Sequence, residues 1–392
     1  MEDLSFINDL PPAERQSWLD GPALNPPKNA VSNFANPPNK NDLAYVFAIF
    51  TGVFCTLLIA LKVFSRFHYF RKILVEDAIA VAALGVLGAY LWCMWTLALN
   101  TGAFVHQWDV RLKNLPHFLY YMNIGSVTHG IVMMLVKTSI LIEWSRIFVP
   151  GGIRNRFWWT CYITAAITVV FYITSTFLNI FMCNPRQKSW DRTVPGMCLR
   201  IGTVYLVTSS MSLVSSVMIF ILPQPVIWSL QMSTGKKLAI AALFSLGISA
   251  CIAAAWNVYN CSRFSTSEDV TYTVSHIGIW CTVEQLCGFL ILCLTTASKF
   301  LRESSWIRFL VSKCRNDSKS GPMYPQERSV SHRLSAPNRR RKQRTDASLF
   351  TDTDRADLLP LSTINVQTDI SIRANSINAH QMDKTFAKTE FP

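Results

Sequence analysis

Seven stretches of this chain are long and apolar enough to cross a bilayer, and that property removes most folds from consideration. A hydrocarbon core about 30 Å thick needs about 20 mainly apolar residues in a helix. The segments lie at Leu43–Phe64, Asp77–Leu99, Phe118–Phe148, Phe157–Met182, Ile201–Leu222, Leu238–Tyr259 and His276–Lys299. The chain therefore reads as an all-α membrane protein, a seven-transmembrane-helix bundle. The third and fifth segments are the most polar, with His129 and Lys137 in one and Ser209, Ser210, Ser212, Ser215 and Ser216 in the other. Serine hydroxyls can bond to carbonyls of their own helix, so both are expected to turn their polar side toward the bundle interior.

The flanks divide the rest. Met1–Leu10 holds Glu2, Asp3 and Asp9 and no apolar run, so it does not read as a cleavable signal peptide. Prolines 11, 12, 22, 26, 27, 37 and 38 predict an extended, unpacked and disordered N-terminus over residues 1–41, ahead of a membrane domain over 42–300. Residues 301–392, rich in Ser, Asn and charge, read as a disordered tail. Their 16 Lys and Arg against 10 acids carry part of the chain's net charge of +13. The excess of cations thus flanks a membrane domain, which points to anionic lipid and away from nucleic acid.

Orientation follows from the basic residues near the helix ends. With the N-terminus outside, thirteen Lys or Arg, including Lys62, Arg66 and Arg146, fall on the cytoplasmic side and seven outside. The expected location is the plasma membrane, with the tail cytoplasmic.

Ionisable groups within the spans are the first candidates for chemistry, because a charge at mid-bilayer needs a partner or water. Lys137, His129 and Glu284 form the candidate intramembrane site. Depth counted along the helices makes His129 with Glu284 the easier direct pair. Lys137 lies deeper and is expected to reach toward Glu76 and Asp77 at the cytoplasmic start of the second helix. These groups read either as a ligand or proton site or as polar glue between helices. Arg146 joins Glu76 and Asp77 as a helix-end polar residue.

Cys183 and Cys198 lie 15 residues apart in a loop on the expected outer face, where a disulfide is chemically favoured, with Cys93 and Cys261 as competing partners. The seventh helix has no central lysine for a Schiff base, its only one being Lys299 at the end, so covalent retinal is not expected. No zinc-type cluster, phosphate loop or nucleophile elbow occurs, so no metal, cofactor or catalytic residue is assigned.

Taken together, several motifs resemble the fungal rhodopsin-domain integral membrane proteins, over about residues 40 to 305. They are Glu76-Asp77; Lys137-Thr138-Ser139-Ile140-Leu141 followed by Arg146-Ile147-Phe148; the loop with Cys183, Pro185, Trp190-Asp191 and Cys198; and Leu222-Pro223-Gln224-Pro225-Val226-Ile227-Trp228. Lys237, Phe244, Gly247, Trp280 and Glu284 complete them. Ser216 and Asn257 stand where the family often carries Asp and Arg, and no cysteine precedes Cys55, so the eight-cysteine module of some receptor-like members is not expected.

The resemblance implies a receptor-like, non-enzymatic membrane protein that senses a small apolar or amphipathic ligand and signals to a cytoplasmic partner through its tail. A membrane-embedded enzyme or accessory protein of secondary metabolism is the alternative, with His129 and Glu284 as acid and base. Transport ranks third.

Overall fold

A computed structural model describes residues 4–28, 31–70, 74–149, 155–225 and 234–303. The tail beyond Glu303, and the orienting cations Arg71, Lys72 and Arg154, lie outside the described residues. The order is a short helix α1 (Pro12–Asp20), then α2 (Asn41–Ser65), α3 (Val75–Asn100), α4 (Leu115–Phe148), α5 (Arg156–Ile180), α6 (Ile201–Ile221), α7 (Thr234–Thr266) and α8 (Val270–Glu303). Helices α2 to α8 are the seven candidate spans. The face where α2 begins is called the N-side here, and the opposite face the C-side.

The spans expose apolar stripes at helical spacing. On α2 the stripe is Val46, Ile49, Val53, Leu57, Leu61 and Phe64, each more than half exposed, and on α5 it includes Ile163, Ile167 and Val170. Contiguous apolar surface of this extent is unfavourable in water and matches a bilayer. The protein is a multi-pass membrane protein. Helix α4 packs against α3, α5 and α8, α7 joins α6 to α8, and α2 closes the bundle against α3 and α8.

The polar sides of α4 and α6 turn inward at Lys137, Ser209 and Ser212. Ser209 and Ser212 of α6 are buried, whereas Ser210 and Ser216 return their hydroxyls to the carbonyls of Leu206 and Ser212 on their own helix.

Helix α8 starts six residues before the expected His276, about 9 Å of helix. The local cause is Asp269. Its carboxylate accepts Tyr272 N at 3.4 Å as an N-cap, and the turn Ser267–Asp269 joins α7 to α8 directly.

On the N-side, strands β1 (Cys183–Asn184) and β2 (Met197–Cys198) pair antiparallel with Cys183 opposite Cys198, and a disulfide joins the two. Cys93 and Cys261, the competing partners, are free and buried in α3 and α7.

The N-terminal segment corrects the expectation of an unpacked leader. Ile7 is 0% exposed and joins Leu97, Phe118, Met122, Tyr205 and Phe264 in an apolar cluster at the N-side end of the bundle. Asn8 donates to the Thr193 carbonyl at 2.8 Å, and Leu112 N and Ala23 N exchange backbone bonds with Gly21 and Val110. Lys113 reaches Asp20 at 2.7 Å and holds that carboxyl below its ordinary value of 3.8. Few backbone groups of this proline-rich segment are paired, but Ile7, with Leu4 and Ala23 beside it, and scattered hydrogen bonds anchor it.

Candidate functional site

Lys137 of α4 sits at the centre of the bundle, 4% exposed. Its ammonium donates to Tyr172 Oη (3.0 Å), to the Ser212 carbonyl (3.0 Å) and Oγ (3.1 Å), and to Ser215 Oγ (2.8 Å). Glu284 Oε1 on α8 lies 3.8 Å from the ammonium and accepts from Ser212 Oγ at 3.1 Å. A charge removed from water needs this density of partners. The cluster ties α4, α5, α6 and α8 together at one level.

Close helix approach sets the pairing. A Cβ on Gly288, one turn beyond Glu284, would come within 2.8 Å of Val136 Cγ1, so glycine lets α8 lie against α4 where Lys137 projects. His129 therefore does not pair with Glu284. Its Nδ1 is 2.9 Å from Gln285 Nε2, because consecutive residues on a helix point about 100° apart. Nor does Lys137 reach Glu76 or Asp77. The early start of α8 puts Glu284 farther along its span than expected, within reach of the lysine chain.

Glu76, Asp77 and Arg146 belong to a second cluster at the C-side end. Arg146 Nη1 lies 3.0 Å from Glu76 Oε1, and Arg66 lies 3.8 Å from Glu76, 3.7 Å from Asp77 and 3.3 Å from Glu143. Lys62 Nζ pairs with Glu143 at 2.8 Å and donates to the Leu292 carbonyl at 3.1 Å. Asp77 also accepts Leu74 N at 3.2 Å, capping α3. Lys62 and Arg66, expected as cations flanking the membrane, are buried structural partners. Their sequence signal is Glu143, an acid within an apolar helix that needs a cation nearby.

The central cluster separates two cavities. The N-side cavity, about 120 Å³, lies among α3 to α8, with Lys137's partners Tyr172 and Ser212 on its wall. Its lining mixes Met94, Leu97, Met122 and Ile277 with the neutral polar groups of Tyr90, Ser126, His129, Asn179 and Asn257. Tyr205 lines the same space. Leu97, Met122 and Tyr205 are shared with the cluster that Ile7 caps, so the N-terminal segment roofs this space. The C-side cavity, about 80 Å³, has mainly apolar walls, with Lys137 and Glu284 facing its inner end and Ser216 and Gln224 as its other polar lining.

Such a site can bind and orient a small molecule with hydrogen-bonding groups. No group of three or more His, Cys, Asp or Glu that could hold a metal ion occurs among the described residues.

Comparison with known proteins places these features. Residues 61–303 match the fungal rhodopsin domain. The chain is 34% identical over 293 residues to Fugralins biosynthesis cluster protein 2 of Gibberella zeae, covering 74% of this chain and 73% of that protein. It is 31% identical over 197 residues to a SAT4 family membrane protein of Emericella nidulans, half of each chain. Receptor GIN3 of Arthrobotrys oligospora is 24% identical over 264 residues, 64% of this chain and 59% of that one.

Proposed function

We propose that this chain, which belongs to the fungal rhodopsin family, is a receptor-like sensor of a small neutral amphipathic ligand bound in the N-side cavity. One observation carries the reading: a space of about 120 Å³ walled by apolar side chains, into which neutral hydrogen-bonding groups converge from several helices. Binding sites combine apolar walls with a few placed polar groups in this way. A dry cavity of about 150 Å³ holds a benzene-sized molecule. The ligand, or the part of it that is held, is of that order. The similarity to a protein named as a receptor supports the same reading.

The N-terminus faces outside at the plasma membrane. The excess of Lys and Arg on the opposite face supports this, as does a disulfide on the N-side, which suits an oxidising compartment. The tail, on the cytoplasmic side, carries the output to a signalling partner.

The test is native mass spectrometry of the detergent-purified chain beside an Asn257→Leu variant, with the cellular response measured after deletion of residues 304–392. A small-molecule adduct lost in the variant, and a response lost with the tail, are expected. Protein without any adduct, together with an unchanged response, would refute the proposal.

The name of the Gibberella zeae relative favours a second reading, an accessory protein or enzyme of secondary metabolism that uses the Glu284 carboxyl at the inner end of the C-side cavity as its acid. In that case Glu284→Gln, which keeps the shape and removes the acid, lowers production of the metabolite. Full production in the variant excludes this version.

A further inference from the structure

Between α6 and α7 runs an apolar groove of about 460 Å³, lined by Leu213, Val217 and Ile221 on one side and Ile248, Ile252 and Ala255 on the other. Both walls lie inside candidate spans, so the groove opens onto acyl chains. Phe220 lines this groove and also the C-side cavity behind it, so one aromatic ring forms a wall between bilayer and bundle interior. The ring depends on Gly247. A Cβ there would come 2.5 Å from Phe220 Cδ2 and displace the ring, which rests on Phe244 with centroids 5.1 Å apart.

We propose that Phe220 is the gate of a lateral port, through which the head of a membrane-dissolved long-chain alcohol reaches Glu284 while its hydrocarbon chain stays in the groove. The head chemistry follows from what the inner end of the cavity leaves open. Lys137 has committed its ammonium protons to Tyr172, Ser212 and Ser215. Glu284 is 2% exposed, and its Oε2 has no hydrogen-bond partner among the described residues. A buried acceptor without a donor is costly, and the vacancy calls for a donor. A hydroxyl supplies one. A carboxylate head would face another carboxylate and an ammonium already engaged, and an amine head would lie beside Lys137. The inner cavity, about 80 Å³, has room only for the head and its first carbons. Access from the N-side end is covered by Ile7 and its cluster, whereas the groove is open to lipid.

The experiment uses the full chain in phosphatidylcholine nanodiscs. The probe is hexadecanol carrying a diazirine close to the hydroxyl; the matched methyl ether and the matched carboxylic acid are the controls. Peptide mass spectrometry reads the ratio of labelling at inner residues, Met133 to Ile140 and Gly288 to Ile291, to labelling at groove residues. Because the ratio is taken within one sample, differences in protein amount and probe loading cancel, and size-exclusion chromatography before labelling removes unfolded protein. The alcohol is expected to exceed the ether by about tenfold in this ratio, the size of one hydrogen bond to a charged group. Phe220→Ala raises the ratio and Phe220→Trp lowers it. Labelling confined to the groove for every probe, equal ratios for alcohol and ether, an acid that matches the alcohol, or a ratio indifferent to both Phe220 variants would each overturn the proposal.

Discussion

Replacing Glu143 by Gln tests whether the C-side ion cluster is dry. The Glu143 carboxylate is 2.8 Å from Lys62 Nζ and 3.3 Å from Arg66 Nη2, and the Lys62 and Glu143 side chains are each 1% exposed. At an effective dielectric constant of about 20, a unit-charge pair at 4 Å is worth about 4 kcal/mol. The two cations do not lose equally. Arg66 keeps Glu76 at 3.8 Å and Asp77 at 3.7 Å, whereas Lys62 keeps the Leu292 carbonyl. Removing one partner of a buried pair costs about 3–5 kcal/mol, because the other charge stays in low dielectric. We expect Glu143→Gln to destabilise by that amount, measured by reversible unfolding in mixed micelles followed by tryptophan fluorescence. The double variant Lys62→Met, Glu143→Leu removes both charges and should return to within about 1 kcal/mol of the parent. A loss below about 1 kcal/mol in Glu143→Gln would mean that the pair behaves as a solvated surface pair, and the reasoning would fail.

At the central cluster, Lys137→Met strands the Glu284 carboxylate and should cost about 3–5 kcal/mol in the same assay, while Lys137→Met with Glu284→Leu restores the fold. Serine at both Cys183 and Cys198 should lower stability by about 3 kcal/mol, and a reducing agent should do the same to the parent but not to the variant. Ile7→Ala should detach the N-terminal segment, read as loss of hydrogen-exchange protection at the Ala23 and Leu112 amides without change in the spans. Asp20 has a lowered pKa because of Lys113, so its contribution to docking is full above its ordinary value of 3.8 and is lost as pH falls through the lower folded value. The same amides report this transition, and Asp20→Asn should abolish it.

The spans were legible because a bilayer demands long apolar runs, and few sequences meet that by chance. The centre was legible in composition but not in pairing. Lys137, His129 and Glu284 stood out as ionisable groups in lipid, yet their partners depended on where α8 starts and on the close contact at Gly288. Asp269 is a readable N-cap signal, and a helix begun there includes the turns that the apolar run alone leaves out. Lys62 and Arg66 read as flanking cations in the sequence because they lie near a span end, where basic residues are ordinarily solvated. The N-terminal segment was the least legible. Its packing rests on Ile7 with Leu4 and Ala23 beside it, apolar residues scattered among prolines and polar residues with no periodicity to betray a buried face.

The roof formed by that segment is tethered to the same chain that it covers, which makes it an intramolecular competitor. A tethered group acts at an effective concentration that can reach the millimolar range. Any ligand reaching the N-side cavity from that face must therefore displace Ile7, and its apparent affinity is its intrinsic affinity multiplied by the fraction of molecules whose roof is open. Each 1.4 kcal/mol of docking free energy weakens such a ligand by about tenfold. Substitutions that loosen the roof, Ile7→Ala among them, thus act as sensitisers. In the proposed sensor the response threshold is thus set partly by Ile7, which packs against the cavity's lining residues without being one of them.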